Sequence, residues 1–328
     1  MNNSTHYITT HQLAVGYQQK GRENRLFDNL NLTVDGGSMI CFMGPNGAGK
    51  SSLLRTLAGL QQPLAGKVTL RTTETGTVME HQIAVVLTDR VSAGNLTVEE
   101  VVTFGRYPYL GWNIRLQEHD KEIIRNAIER VHITSLIGRR LYELSDGQTQ
   151  MVMIARALAQ DTPIILLDEP TAHLDLNNRV EMMNLLRQLS RTTGKAILLA
   201  THELDLALQT ADVIWLTGNN RDILTGMPED LVLNGSFDEI FRFKGFDLKT
   251  GKVLHQAFRN MNISLKGDGA EYLWTKNALE RNGYSVVPGI NAEISITLVQ
   301  EFSRTLWIIR KNSSEIEVDS LKRLIECL

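Results

Sequence analysis

The nine residues from Gly44 to Ser52, GPNGAGKSS, have the types and spacing that phosphate chemistry needs. Gly44, Gly47 and Gly49 let a backbone fold back so that several N–H groups point inward at phosphate oxygens, helped by the positive end of a following helix. Pro45, Asn46 and Ala48 fill the loop between them. Lys50 supplies a point charge for the outer phosphates, and Ser51, followed by Ser52, brings a hydroxyl to where Mg²⁺ would sit, completing the pattern GxxxxGK[ST]. A glycine-rich turn with a chance lysine is the competing explanation, and the apolar strand before the loop and the helix after it argue against that. Further along, Asp168 and Glu169 close the apolar run 164–167. The carboxyl end of a buried parallel strand is where open α/β sheets place their ligands. There Asp168 can hold Mg²⁺, directly or through water, and Glu169 can polarise a water against a γ-phosphate; otherwise the pair is a solvated loop start. His202 follows a second apolar run, 196–200, and either reaches a γ-phosphate or is a surface hydrogen-bonding residue. Tyr17 offers a ring that can stack on a base or merely end a strand.

A sheet is needed to bring these groups together. Alternating apolar and polar residues predict strands over 7–15 and at Leu30, Leu32 and Val34, then a turn over 35–38 and a strand 39–43 that delivers the chain to the loop. A helix follows over 50–60, a break at 61–66 with Pro63, and strands at Val68, Leu70 and 83–87. Thr97 and Glu100 form a capping box that opens a helix ending in GRYPYLGW, residues 105–112. A second helix carries Ile123, Ile124, Ala127, Ile128 and Val131 at helical spacing, and a third runs over 149–160. Leu144, Ser145, Asp146, Gly147 and Gln148 precede that third helix, with Ser145 and Gln148 able to form another capping box. Residues 97 to 160 thus read as a helical insertion.

Composition bounds what such a chain does. At 328 residues there is room for two domains; the apolar share of 42% and charged share of 22% are those of a soluble globular chain, and a formal charge of −3 gives no reason to expect a nucleic-acid partner. Cys41 and Cys327 lie far apart without a CxxC pair, which suits a buried apolar thiol and a terminal one better than a disulfide or a metal site. The first residues, MNNSTHYITTHQ, lack the apolar core of a signal peptide, and no stretch reaches the roughly 18 apolar residues that span a bilayer. A cytosolic chain is expected, and any membrane role would need a separate partner.

Over residues 5 to 245 the chain resembles the ATP-binding subunit of an ABC transporter, with the elements in that family's order. The resemblance sets Tyr17 against adenine, makes Leu144 to Gln148 the signature, Asp168 and Glu169 the metal and catalytic acids, Asp175 in AHLD the dimer-contact residue, and His202 the switch histidine. A signature placed before the acids is the specific part, because other P-loop enzymes lack it. The family implies a P-loop α/β core with an N-terminal antiparallel β subdomain and the helical insertion. It also implies hydrolysis of ATP with Mg²⁺ between two subunits meeting head to tail, each nucleotide held by one phosphate loop and the partner's Ser145. VVTFGRYPYLGW and THELDLAL are similar to importers of iron(III) siderophores, haem and cobalamin. That implies a permease docked on the helical insertion, a periplasmic or lipoprotein substrate-binding protein, and a peripheral position on the cytoplasmic face of the inner membrane. Two departures stand out. Asp146 takes the place of a usual glycine and either favours the positive helix end or repels the partner's γ-phosphate. Thr88, beside Asp89, takes the place of a glutamine that contacts metal and water, leaving its metal role in doubt.

Residues 250 to 328 lie beyond the resemblance. They predict a strand at 263–265, a helix 272–282 closed by Gly283, strands 294–299 and 305–309, and a last helix 318–327, a small α/β (α+β) domain. It has no metal spacing, catalytic cluster or phosphate loop, and a dimer-stabilising or regulatory role is expected of it.

Overall fold

A computed structural model describes residues 6–19, 22–71, 82–87, 95–112, 115–218, 221–253, 255–287, 292–301, 304–311 and 314–328. The chain forms two compact units, Met1–Arg242 and Phe243–Leu328. In chain order the first holds β1 (His6–Gln19), β2 (Arg22–Leu30), β3 (Thr33–Asp35), β4 (Met39–Met43), α1 (Lys50–Leu57), β5 (Ala65–Leu70), β6 (Ile83–Val86), α2 (Val98–Thr103), α3 (Glu118–Arg130), α4 (Asp146–Ala159) and β7 (Ile164–Asp168). It continues with α5 (Leu176–Thr193), β8 (Ala196–Ala200), α6 (Leu204–Thr210), β9 (Val213–Thr217), β10 (Ile223–Gly226), α7 (Pro228–Leu233) and α8 (Ser236–Phe241).

Among the described residues this unit holds two sheets. The antiparallel one pairs β1 with β2, β3 and β5. The other has the order β10-β9-β4-β8-β7-β6 and is parallel from β9 to β6, with β10 antiparallel at its edge. Strands β4, β7 and β8 are buried along their whole length, which is why they read as unbroken apolar runs instead of alternating ones. The core joins Phe27, Leu30 and Val34 of the antiparallel sheet to Phe42, Leu166, Leu198 and Trp215 of the parallel one, with Leu53, Leu54 and Leu57 of α1 between them. The carboxyl ends of β4, β7 and β8 therefore lie side by side.

Several boundaries differ from those expected. β1 runs on to Gln19, so Tyr17 lies inside a strand, opposite Asn24 of a β2 that the sequence pattern did not announce. α1 stops at Leu57, because Gly59 turns left-handed (φ 73°) and the N–H of Leu60 bonds back to the Arg55 carbonyl. α4 begins at Asp146, three residues early: Ser145 accepts the Gln148 N–H at 3.3 Å while its own N–H donates to Gln148 Oε1 at 3.1 Å. The box at Thr97 and Glu100 is formed as expected, and GRYPY winds into a 3₁₀ turn, Phe104–Tyr109.

The second unit holds β11 (Phe246–Asp247), β12 (Lys252–Val253), β13 (Asn262–Lys266), α9 (Gly269–Arg281), β14 (Ser285–Val287), β15 (Ile294–Glu301), β16 (Arg304–Lys311), β17 (Ser314–Val318) and α10 (Leu321–Glu326). Its main sheet runs β14-β13-β15-β16-β17, parallel at the β14 end and antiparallel beyond β15. Val318, expected to open the last helix, instead ends β17, and α10 begins three residues later under a cap from Ser320. Ile263, Leu279, Tyr284, Ile296, Trp307 and Leu324 form this unit's own core.

Candidate functional site

The loop between β4 and α1 is held open by its glycines. Gly49 caps α1 at φ 99°, a left-handed conformation, and a β-carbon there would come within 2.9 Å of Leu26 and Phe27. At Gly44 a β-carbon would lie 2.6 Å from the Thr217 carbonyl oxygen at the end of β9. The Lys50 ammonium is folded back under the loop, donating to the carbonyls of Gly44 at 2.9 Å and Pro45 at 3.1 Å. Burial lowers the pKa of Lys50, while the charges of Glu169 and Asp168 work against that drop.

Asp168 ends β7 with its side chain buried. Burial raises its pKa, the Glu169 charge adds to the rise, and the hydrogen bond with the Ser51 side chain and the charges of Arg55 and Lys50 pull it down. Ser51 and Asp168 thus join the loop to β7. Glu169 stands at φ 48°, a left-handed conformation unusual for a side-chain-bearing residue, and its N–H donates to the Ala200 carbonyl at 3.0 Å. The carboxylate that results is half-buried and 3.7 Å from Nδ1 of His202.

The structure thus brings Lys50, Ser51, Asp168, Glu169 and His202 to one edge of the parallel sheet. Tyr17 is 46% exposed in the other sheet, free to offer a ring face. Asp175 caps α5, accepting the Asn178 N–H at 2.9 Å. Ser145 and Asp146 are exposed at the start of α4, whereas Gly147 is buried against Leu174 and Asn178, so that residues 144–148 border the Asp175 loop. Thr88 and Asp89 lie outside the described residues. Arg179 and Glu203 were missed by sequence reading, although both stand beside groups singled out there: Arg179 Nη1 bonds both carboxylate oxygens of Glu203, at 2.9 and 3.0 Å.

Ser51 and Asp168 are hard oxygen donors of the kind that suit Mg²⁺. Among the described residues no three His, Cys, Asp or Glu side chains form a metal cluster, so a cation here would complete its shell with substrate oxygens and water. The donor set therefore fits an ion that arrives with a nucleotide.

Comparison with known proteins agrees with this geometry. The family model described as ABC transporter matches residues 27–172, and one described as iron ABC transporter C-terminal domain matches residues 260–328. An ABC transporter ATP-binding protein of Methanocaldococcus jannaschii is 36% identical over 86% of this chain and 99% of its own length. A petrobactin import ATP-binding protein of Bacillus anthracis is 36% identical, over 72% of this chain and 87% of its own. A solved transporter described as of the metal-chelate type, in an inward-facing conformation, superposes with a TM-score of 0.64 at 26% identity, covering 73% of this chain and 90% of that one. The chain belongs to the ATP-binding proteins of ABC transporters. It is an ATPase subunit of that family, joined to a C-terminal domain of the iron-transporter type. No described helix is long and apolar enough to cross a membrane.

Proposed function

We propose that this chain hydrolyses ATP to drive an importer of iron(III) chelates, siderophore complexes foremost. The observation that carries it is the meeting of Lys50, the Ser51–Asp168 pair and the Glu169–His202 pair on one sheet edge. The loop 44–52 and Lys50 bind the phosphates, and Tyr17 receives the base. Ser51 and Asp168 would hold Mg²⁺, which when bound neutralises charge on the phosphate oxygens. Glu169 orients and polarises the attacking water, and His202, within reach of Glu169, contacts the γ-phosphate side.

The family's work as dimers with membrane permeases supports a head-to-tail homodimer in which Ser145 to Gln148 of one subunit meet the nucleotide of the other, with Asp175 at the seam. The segment 97–160 would dock on the permease; its GRYPYLGW stretch exposes Tyr107, Tyr109 and, completely, Trp112. The chain would then sit on the cytoplasmic face of the inner membrane and work with a substrate-binding protein on the other side. Residues 5–245 would be the motor and 250–328 an accessory domain. The cargo reading rests on the petrobactin relative and on the iron-transporter description of the C-terminal match.

The test is a pair of substitutions. Lys50→Ala should abolish ATP binding, whereas Glu169→Gln should bind ATP normally, lose turnover and accumulate as an ATP-bound dimer in size-exclusion chromatography. Wild-type turnover in Glu169→Gln would remove that acid from the chemistry.

A further inference from the structure

We infer that Arg179 and Glu203 act as one positioning pair, which sets His202 beside Glu169 and ties its place to the loop ending in Asp175. The inference rests on the ATPase reading and adds two residues to it.

Arg179 lies in the first turns of α5, and its planar head reaches two loops at once. Nε donates to the Leu174 carbonyl at 2.7 Å, just before Asp175, while Nη1 donates to both Glu203 oxygens. Glu203 follows His202 directly, its Oε1 is 3.4 Å from His202 Nε2, and its N–H donates to the buried Thr201 hydroxyl at 3.0 Å. His202 is thus flanked by two carboxylates, Glu203 on one ring nitrogen and Glu169 on the other. The Glu203 side chain is only 15% exposed. Without the guanidinium it would turn an unbalanced charge toward His202 and Glu169.

The geometry also explains why arginine holds this position. A guanidinium donates in fixed, diverging directions from one plane, so a carbonyl and a carboxylate can be held together, whereas an ammonium at the same place serves as a point charge. Because α5 starts at the Asp175 cap, a displacement of residues 174–175 moves Arg179, then Glu203, then His202. The buried Gly147 of the signature stretch packs on Leu174 and Asn178 in the same neighbourhood. Arrival of a second subunit at this loop would therefore be felt at His202, far along the chain but two side chains away. The side chains of Arg179 and Glu203 bond Leu174 and each other, and the Glu203 N–H bonds Thr201, so the pair acts through His202 and not on nucleotide capture.

Steady-state hydrolysis by the full chain tests this. Arg179→Ala and Glu203→Gln should each lower kcat by about 10- to 100-fold, with KM for ATP within about twofold of wild type. The double variant should lose no more than the worse single one, since both break the same link. Arg179→Lys, which keeps the charge and one of the two contacts, should melt with the wild type and recover part of the loss, which keeps the test open if the alanine variant fails to fold. Unchanged kcat in folded single variants, losses that multiply in the double variant, or a rise in KM matching the fall in kcat would overturn the pair's role. A wild-type chain whose hydrolysis is no greater than that of Lys50→Ala would overturn the ATPase reading itself, a result separate from any of these.

Discussion

A carboxylate on the first residue of a helix can be either a helix-dipole partner or a hazard to a facing phosphate, and Asp146 tests which one matters. It is exposed at the N-terminus of α4, inside the reciprocal cap of Ser145 and Gln148, where a negative charge favours the helix. Asp146→Gly removes that charge and adds a glycine to the first turn, at a cost of about 0.5–1.5 kcal/mol. The expected outcome is a lower melting temperature with the ATPase rate almost unmoved; a large gain in ATP-driven dimerisation would instead show that the carboxylate opposes the partner's γ-phosphate. At this scale the sequence was informative where residues act as neighbours in the chain. Nine consecutive residues specify the phosphate loop, and two residues three positions apart specify each capping box. It was silent where a side chain acts through a residue 24 positions away, as Arg179 does with Glu203. No local pattern marks such a pair.

Among the elements, the 3₁₀ segment that follows α2 owes its shape to one arginine. Arg106 is buried under the ring of Tyr109, 4.2 Å from its centroid, and donates through Nε to Asp120 Oδ1 at 2.9 Å and through Nη1 to the Ala159 carbonyl at 3.1 Å. It therefore fastens the exposed aromatic stretch to α3 and α4 together. Burial alone would raise the pKa of Asp120, but the Gln117 N–H and the Arg106 bond and charge hold it below the ordinary range. Its stabilisation is therefore complete above the unfolded carboxylate value of about 3.9 and is lost as pH falls through the lower folded value. Arg106→Ala should cost about 3–5 kcal/mol, read as a shift in urea midpoint at neutral pH, and that shift should shrink in acid below about pH 4. Helical periodicity revealed α3, and short apolar runs revealed β4, β6, β7 and β8, whereas β9 was not read from the sequence. The hairpin strand β2 escaped as well: a bulged register with β1 and a mostly exposed charged start break the alternation on which strand reading depends.

Across the described residues each unit has a hydrophobic core of its own, and each core sets a stability of its own. Trp307, in the core of the second unit, packs with Ile309 and donates its indole N–H to the Thr275 hydroxyl at 2.8 Å. Its loss should cost about 3–5 kcal/mol, a large share of what a unit this small has to spare. Trp307→Ala should therefore melt in two waves, the earlier one from the second unit, while nucleotide binding is retained; a single wave with binding lost would show the units to be energetically inseparable. The two units divide at Arg242 and Phe243, a few residues before the stretch where the sequence pattern changes, and β14 and β17 were not read from the sequence, being short strands with few buried side chains.

The cysteine in β4 gives this molecule an internal clock. Cys41 is fully buried in the strand that leads to the phosphate loop, and burial pushes its thiol far above the usual range, whereas Cys327 lies exposed near the far end of the chain. A thiol reagent should therefore mark Cys327 at once and wait at Cys41 for the sheet to open. The delay counts how often the motor unit comes apart. Nucleotide that binds only the closed fold should lengthen it.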